Sequence, residues 1–374
     1  MRVAVDLSPV RRLETGVERV AVESFRALAE ASTDIEWLAF IHPGAASLIS
    51  DIGAKIETVS YATRVERVLW QQARLPFLLR RHRAQALWSP VYVAPLACPC
   101  ESVILVHDII AIEHPMLCAV PNRFHFGTLL GSCVRRASMV VVPSQAVAKA
   151  VMQRLRPRAE PVVIPPGIGS RFLSPRSASD EIQEPRAARR ALGLPERFLL
   201  AVGRLERKKN IAAVVRSLSH LPAPEFRDMG LVIVGAGGSD KRKVLKAIQE
   251  SPARERIRHF TRVSEEELAD IYRLADCLVF PSLAEGFGIP PIESLAVGTP
   301  AVVSEYTPSY LEMCGRDQWV LPDLEPPTIA QTVSSVMGGR VTEEEIDGKR
   351  RKARELTWKN HAVRVSESIR SLSA

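Results

Sequence analysis

No uncharged stretch of this sequence reaches the roughly 18 residues that a bilayer-spanning helix requires. The opening residues, MRVAVDLSPV, carry Asp6 where an export signal would have its apolar centre, so secretion is not expected. Cysteine is sparse. Cys98, Cys100, Cys118, Cys133, Cys277 and Cys314 are scattered, and only the first two are close together. No second Cys/His pair stands at zinc-like spacing, so buried, reduced thiols in a cytosolic protein are expected. There is no repeat of solenoid period and no low-complexity tract outside one linker. Arginines are spread over both halves, without a base-reading module or an aromatic stacking platform, which argues against nucleic-acid binding.

What is present suits a two-domain globular chain. Its 374 residues suffice for two α/β cores, with 46% hydrophobic and 25% charged residues. A net charge of +8 and a pI near 9.4 favour an anionic partner. Nucleic acid, acidic lipid and a phosphorylated small molecule all satisfy that balance, so charge alone selects none of them.

Short apolar runs alternate with helical patterns along nearly the whole chain. VAVDL (3–7), IEWLAFI (35–41), SVILVHD (102–108) and MVVVPS (139–144) read as strands of a first half. FLLAVGRL (198–205), GLVIVGAGG (230–238), CLVFPSL (277–283) and PAVVSEY (300–306) read as strands of a second. Such runs predict parallel sheets covered on both faces. Between them, 162–198 is rich in Pro, Ser and charge and reads as an interdomain linker with a short helix near 186–192. The expected domains are 1–170, a linker at 171–196, and 197–355, followed by a C-terminal helix at 356–374. A ligand is expected in a cleft between them, beyond the C-terminal ends of strands.

LAEGFGIPPIESLAVGTP (283–300) places Glu285 and Glu293 at either end of a glycine- and proline-rich segment that opens a helix. Glu293, read in the first turn, either complements the helix dipole or binds a ligand. Gly286 and Gly288 let backbone approach a ligand and direct amide N–H groups at it. AVGRLERKKN (201–210) sets Arg204 and Lys209 just after a strand; its bland reading is a solvated basic turn. Acids repel phosphates, so the combination implies a ligand carrying hydroxyls at some positions and phosphates at another. Nucleotide-sugars have that layout.

EGFGIPPIE resembles the E-x7-E motif of the retaining glycosyltransferases of family 4, and GRLERKKN resembles their Arg…Lys diphosphate site. The resemblance extends over TGVERV (15–20), WQQARLPFLLRRHRAQALWSPVYVAPL, VILVHDIIAIEHP, the whole stretch from VSEEEL to AVVS, and LTWKNHAVRVSESI (356–369). It implies the GT-B fold, in which two Rossmann-like domains face each other across a cleft and the last helix crosses back onto the N-domain. The mannosyltransferase-like branch is the nearest in pattern.

By that resemblance, Glu293 binds ribose hydroxyls and Glu285 donor-sugar hydroxyls. Backbone around Phe287, Gly288 and Ile289 holds sugar and phosphates, Arg262 and Val263 lie near the base, and Gly16 lets the first helix approach the diphosphate. His107 matches a histidine near the sugar; otherwise it simply ends a strand. Asp108 either orients its imidazole or starts the next turn. Three departures stand out. Glu18 occupies a common glycine position, in a loop facing the phosphates. Arg262 replaces a common glycine, as base contact or surface residue. Ala284 replaces a frequent aromatic.

No D-x-D metal-binding triplet is present, so Arg204, Lys209 and helix N-termini are expected to neutralise the departing diphosphate without a metal or other cofactor. Glu285 as a covalent nucleophile is disfavoured, since a carboxylate held on hydroxyls is poorly placed to attack carbon. Same-face substitution is expected instead. The expected partners are a nucleotide-sugar donor, mannose from GDP-mannose or else a UDP- or ADP-hexose, and a glycan or lipid-linked acceptor. A catalytically silent sugar-nucleotide sensor is the reading from another class. Helix 64–83, interrupted at Pro76, mixes Trp70, Phe77 and leucines with Arg74, Arg80, Arg81 and Arg83. It either packs with a solvated face or lies on an acidic membrane. The expected location is the cytoplasm, with peripheral contact at the inner membrane face left open.

Overall fold

In a computed structural model, the described residues are 1–118, 129–173, 189–222, 226–340 and 342–372. The chain divides into two compact units, Met1–Gly167 with Leu356–Ala374, and Ile168–Glu355.

In the first unit, seven parallel strands form one sheet: β1 (Arg2–Leu7), β2 (Glu36–Ile41), β3 (Lys55–Thr58), β4 (Ala86–Ser89), β5 (Glu101–Leu105), β6 (Met139–Val142) and β7 (Val162–Val163). Their order is β3-β2-β1-β4-β5-β6-β7. Val5 pairs with Ala39 on one side and with Trp88 on the other, so the winding reverses between β1 and β4. Helices cover both faces, which is why Val3, Ala4, Val5, Leu87 and Ile104 are fully buried.

The second unit repeats the scheme with β8 (Phe198–Val202), β9 (Gly230–Val234), β10 (Ile257–Phe260), β11 (Cys277–Phe280), β12 (Ala301–Ser304) and β13 (Val320–Leu321). The order β10-β9-β8-β11-β12-β13 reverses between β8 and β11. Open sheets of this kind bind ligands beyond strand C-termini at such a reversal.

The eight predicted strands are all present, but most end two to four residues earlier than their apolar runs. The overrun residues form the loops at the strand C-termini, where Val106, Pro143, Ser144, Leu205, Pro281 and Ser282 remain buried. Of the predicted helix at 186–192, residues 189–191 are helical and 186–188 lie outside the described residues. The expected burial of the cysteines holds only for Cys133 and Cys277; Cys98, Cys100, Cys118 and Cys314 are half-buried.

Helix 64–81 is not ended by Pro76. The turn Trp70–Arg74 widens to π geometry, with the Leu75 N–H reaching back to Trp70 O, and Leu75–Arg81 continues as α-helix. Proline lacks the N–H that would complete the ladder, and the wide turn accommodates the defect. Gln71 anchors the helix to the sheet by donating to Asp6 Oδ2 (2.6 Å) and Val93 O (3.0 Å).

The last helix, Trp358–Ser371, packs on α1 (Gly16–Ala31) within the first unit. The Ser24 hydroxyl lies 2.9 Å from His361 Nε2, and His361 Nδ1 donates to Pro165 O at 2.9 Å. Burial pushes the His361 pKa down to about 4, so the ring is neutral.

Candidate active site

The second unit brings two of the expected residues into contact at its topological reversal. Lys209 follows β8 and Glu285 follows β11; their side chains meet at 2.6 Å (Nζ to Oε1). A backbone bond from Leu283 N–H to Lys208 O (2.7 Å) ties the same two loops. Both side chains are largely buried, 15% and 7% exposed. Lys209 Nζ also lies 4.7 Å from the centre of the Phe280 ring, a cation–π contact that fixes its direction. Burial pushes the Lys209 pKa down, partly offset by Glu285. Burial would raise Glu285, but the charges of Lys209 and Lys208 and the Lys209 hydrogen bond outweigh it, holding the carboxyl below its usual range. Each charge thus favours the ionised form of the other. Acid and base interdigitate here, rather than lining separate ends of a crevice.

Each partner keeps capacity for a ligand. An ammonium has three donors and a carboxylate two oxygens, so one shared bond leaves hydrogen-bonding sites on both. Arg204, one turn earlier, is half-buried. Its Nε donates to Glu206 Oε1 (3.1 Å) and its NH2 to Gly237 O (3.0 Å).

That carbonyl belongs to a loop that sequence reading passed over as the end of a strand. In the loop after β9, Gly235 packs so tightly on the Arg204 segment that a Cβ would lie 1.9 Å from Gly203 O. The cluster GAGG after a strand was the available signal.

Glu293 lies in the second turn of the helix Ile289–Val297, not the first, because the helix starts at Ile289 with Gly288 as N-cap. Its dipole interaction is correspondingly weaker, since that effect fades beyond the first turn. The side chain is 4% exposed and accepts from the buried Tyr272 hydroxyl at 3.0 Å. Tyr272 was not anticipated; it lies inside the helix Glu265–Leu274 and reads as an ordinary core residue.

Gly288 has φ +94°, and a Cβ there would sit 2.9 Å from Thr307 Cγ2. Ser309 fastens the turn, donating N–H to Phe287 O (3.0 Å) and Oγ–H to Gly288 O (2.8 Å). Phe287 is buried. Because Pro290 and Pro291 carry no N–H, the donors at this helix start reduce to neighbouring amides such as those of Gly288 and Ile289. Arg262 is exposed and Val263 half-buried in the loop after β10, at the same edge of the sheet. Ala284 is buried.

The remaining expected residues, Gly16 and His107, belong to the first unit. Gly16 is the first residue of α1, and a Cβ there would meet nothing within 4 Å, so packing does not explain the glycine. Glu18 lies on the helix rather than in a loop. It completes a capping box, with Oε2 accepting from the N–H of Glu14 (3.1 Å) and from the N–H and hydroxyl of Thr15 (both 2.9 Å).

His107 follows β5 and donates Nε2–H to Pro90 O at 2.7 Å. That bond sets the tautomer, leaving Nδ1 as acceptor. Burial lowers its pKa against the pull of Pro90 O and Asp108, so the ring is neutral. Asp108 does not touch the imidazole: it accepts from Ile110 N–H (3.0 Å) and from the Tyr92 hydroxyl (3.1 Å), starting the next turn. Tyr92, absent from the sequence reading, stacks edge-on against His107 at 5.1 Å and holds φ +65°, an unusual backbone for a non-glycine residue. Among the described residues, no group of three or more His, Cys, Asp and Glu is disposed to hold a metal ion.

Two parallel-sheet α/β units, each with its reversal, define the architecture of the GT-B glycosyltransferases. Family comparison agrees: residues 15–170 match the model for Glycosyltransferase Family 4, and 185–353 match Glycosyl transferases group 1. The chain belongs to glycosyltransferase family 4. It is 25% identical over 334 residues to the O-antigen chain mannosyltransferase RfbU of Salmonella typhimurium, covering 86% of this chain and 87% of that protein. It is 26% identical over 250 residues to the serotype-specific mannosyltransferase WbdA of Escherichia coli, a match spanning 66% of this chain but 30% of WbdA's length. In fold it resembles Anabaena HepE in complex with UDP-glucose (TM-score 0.78, 16% identity, covering 99% of this chain and 100% of that one). It likewise resembles sucrose-phosphate synthase from Thermosynechococcus elongatus (TM-score 0.76, 17% identity, covering 100% of this chain and 99% of that one).

Proposed function

We propose that the chain is a retaining mannosyltransferase. It transfers mannose from GDP-mannose to a glycan or lipid-linked acceptor in the synthesis of a surface polysaccharide or lipopolysaccharide. The observation that carries this is the Lys209–Glu285 pair at the β8/β11 reversal, with Arg204 beside it. Likeness to RfbU and WbdA supports the sugar and the setting.

In this reading, Lys209 and Arg204 bind the diphosphate and stabilise it as it leaves. The charge that develops in the transition state meets cations already fixed in a low-dielectric site, so no reorganisation is required. Glu285 accepts from sugar hydroxyls with the oxygen that Lys209 leaves available, and Glu293 accepts from ribose hydroxyls. The neutral His107 accepts at Nδ1 near the sugar. Gly16, Phe287, Gly288 and Ile289 offer backbone to sugar and phosphates, and Arg262 and Val263 flank the base. The departing diphosphate oxygen takes the acceptor's proton on the same face, so configuration is retained. Charge neutralisation is assigned to Arg204 and Lys209 rather than to a divalent ion, and no cofactor enters.

The decisive experiment incubates the purified protein with GDP-mannose, UDP-glucose and ADP-glucose separately, scoring thermal stabilisation and donor hydrolysis. Stabilisation and hydrolysis with GDP-mannose are expected. A response to UDP-glucose alone would transfer the reading to a UDP-hexose donor, which the likeness to HepE favours. Binding without any turnover, with or without acceptor extracts, would make the chain a non-catalytic nucleotide-sugar binder.

We further place the reaction in the cytoplasm, at the surface of an acidic membrane. No described helix is long and apolar enough to cross one. Helix 64–81 nevertheless exposes Val65, Leu69 and Phe77 at multiples of four residues, 68%, 62% and 52% exposed, among the arginines Arg74, Arg80 and Arg81. A buried inner face and an apolar, basic outer face suit an anionic lipid surface.

A further inference from the structure

One cavity in the first unit is lined by residues that the donor assignment above does not use. Its volume is about 560 Å³, within the range of small-molecule sites. Four arginines line it, Arg11, Arg12, Arg64 and Arg67, with Tyr61 between them.

Arginine is seldom buried without purpose, and Arg67 is only 7% exposed. Two elements supply the cluster: the loop after β1 carries Arg11 and Arg12, and the start of helix 64–81 carries Arg64 and Arg67. Tyr61 organises the wall. Its hydroxyl donates to Ser8 O at 2.8 Å, and the Arg11 guanidinium lies 5.4 Å from its ring centre. The two carboxylates on the wall, Glu14 and Glu18, are outnumbered. Glu18 is already held by three donors at the cap of α1. His42 adds no charge, because its Nδ1 accepts from Gly44 N–H at 3.0 Å and burial keeps the ring neutral.

An excess of two positive charges along one wall calls for a dianion rather than a single carboxylate. Guanidinium forks match phosphate oxygens in pairs. We infer that this cavity binds a phosphate or diphosphate group carried by the acceptor, held by Arg11, Arg12, Arg64 and Arg67. The inference rests on the transferase reading and narrows its acceptor to a phosphorylated one. The phosphate can belong to a lipid-linked acceptor or to a soluble sugar phosphate. Both share the chemistry that the cavity recognises.

Inorganic pyrophosphate is titrated into the full-length protein by calorimetry, alone and saturated with GDP, which occupies the donor's diphosphate position. Pyrophosphate binding that persists in GDP and weakens with salt is expected. Arg11→Gln and Arg64→Gln, each losing a charge-assisted contact at a wall position outside the protein core, should weaken it about tenfold with GDP affinity unchanged. Buried Arg67 is left intact, since its replacement would unsettle the helix. Farnesyl diphosphate and mannose 6-phosphate separate the sources. Tighter binding of the first assigns a lipid-linked acceptor, tighter binding of the second a soluble one, and either sustains the anion site. Complete displacement by GDP, or unchanged pyrophosphate affinity in both variants, overturns the inference. Absence of GDP binding with pyrophosphate uptake intact would fault the donor assignment alone.

Discussion

Lys209 and Glu285 stand 76 residues apart in sequence and 2.6 Å apart in space. Their bond joins the loops on either side of the sheet reversal in the second unit, so one contact is both a structural clasp and the proposed phosphate-and-sugar contact. The two roles can be separated by substitution.

Lys209→Ala leaves a buried carboxylate without its cation. Breaking such a pair costs about 3–5 kcal/mol, and the loss should appear as a lower melting temperature. Lys209→Ala and Arg204→Ala should each also lower kcat about 10²–10³-fold. Near-normal turnover in either variant, assayed below its own melting point, would remove the account of leaving-group stabilisation.

Tyr272 touches Glu293 and no proposed substrate group, so it is a positioning residue. Tyr272→Phe deletes one hydrogen bond, and should raise KM for the donor several-fold while kcat stays near wild type. Glu293→Gln should act in the same direction and more strongly. Equal losses in kcat for both variants would contradict a ground-state role in ribose binding.

Gly288 caps its helix at φ +94°, with Thr307 Cγ2 2.9 Å from where a Cβ would stand. Gly288→Ala therefore meets backbone strain and a clash together, and should destabilise the second unit by about 1–3 kcal/mol. Chemical denaturation followed by a probe in that unit measures it; an unchanged midpoint would show that the turn relaxes freely.

His361 is neutral in the fold, its pKa pushed down to about 4 by burial between α1 and Pro165. An unfolded histidine titrates near 6.5. Between those values the unfolded chain binds more protons, so stability is complete above about pH 6.5 and declines as the pH falls toward 4. The loss reaches on the order of 3 kcal/mol. Hydrogen exchange in the helix Trp358–Ser371 should accelerate over that window, and His361→Asn should flatten the dependence.

The triple substitution Val65→Ser, Leu69→Ser and Phe77→Ser removes apolar surface that the core does not use. Sedimentation with anionic vesicles should fall sharply, folding should be retained, and wild-type binding should weaken with added salt. Equal binding by wild type and variant would take the membrane contact off this face.

Much of the fold was legible because parallel strands buried on both faces leave unbroken apolar runs. Run length alone overstated their extent. CLVFPSL continues past Phe280 only because the loop toward Glu285 is buried too. The edge strands β3, β7, β10 and β13 went unread: β3 and β10 are short and mixed in polarity, and β7 and β13 are only two residues long. So did β4, although it lies beside β1 at the reversal, because ALWS follows a helix without an apolar run long enough to announce it. At the candidate site, the glutamates, Arg204, Lys209 and Gly288 were visible through residue type and spacing. Tyr272, Tyr92 and the Gly235 loop were not, because their significance lies in what they touch.

Residue order along the chain determined the periodicities, the helix caps at Thr15 and Gly288, and the chemical inventory of acids and cations, since these depend on neighbours a few positions away. Tertiary structure decided that β4 intervenes between β1 and β5, that Lys209 is answered by Glu285, that the last helix returns to the first unit, and that four arginines surround one cavity. Those outcomes depend on closing long loops and on the local dielectric, and neither is a property of any short stretch of sequence.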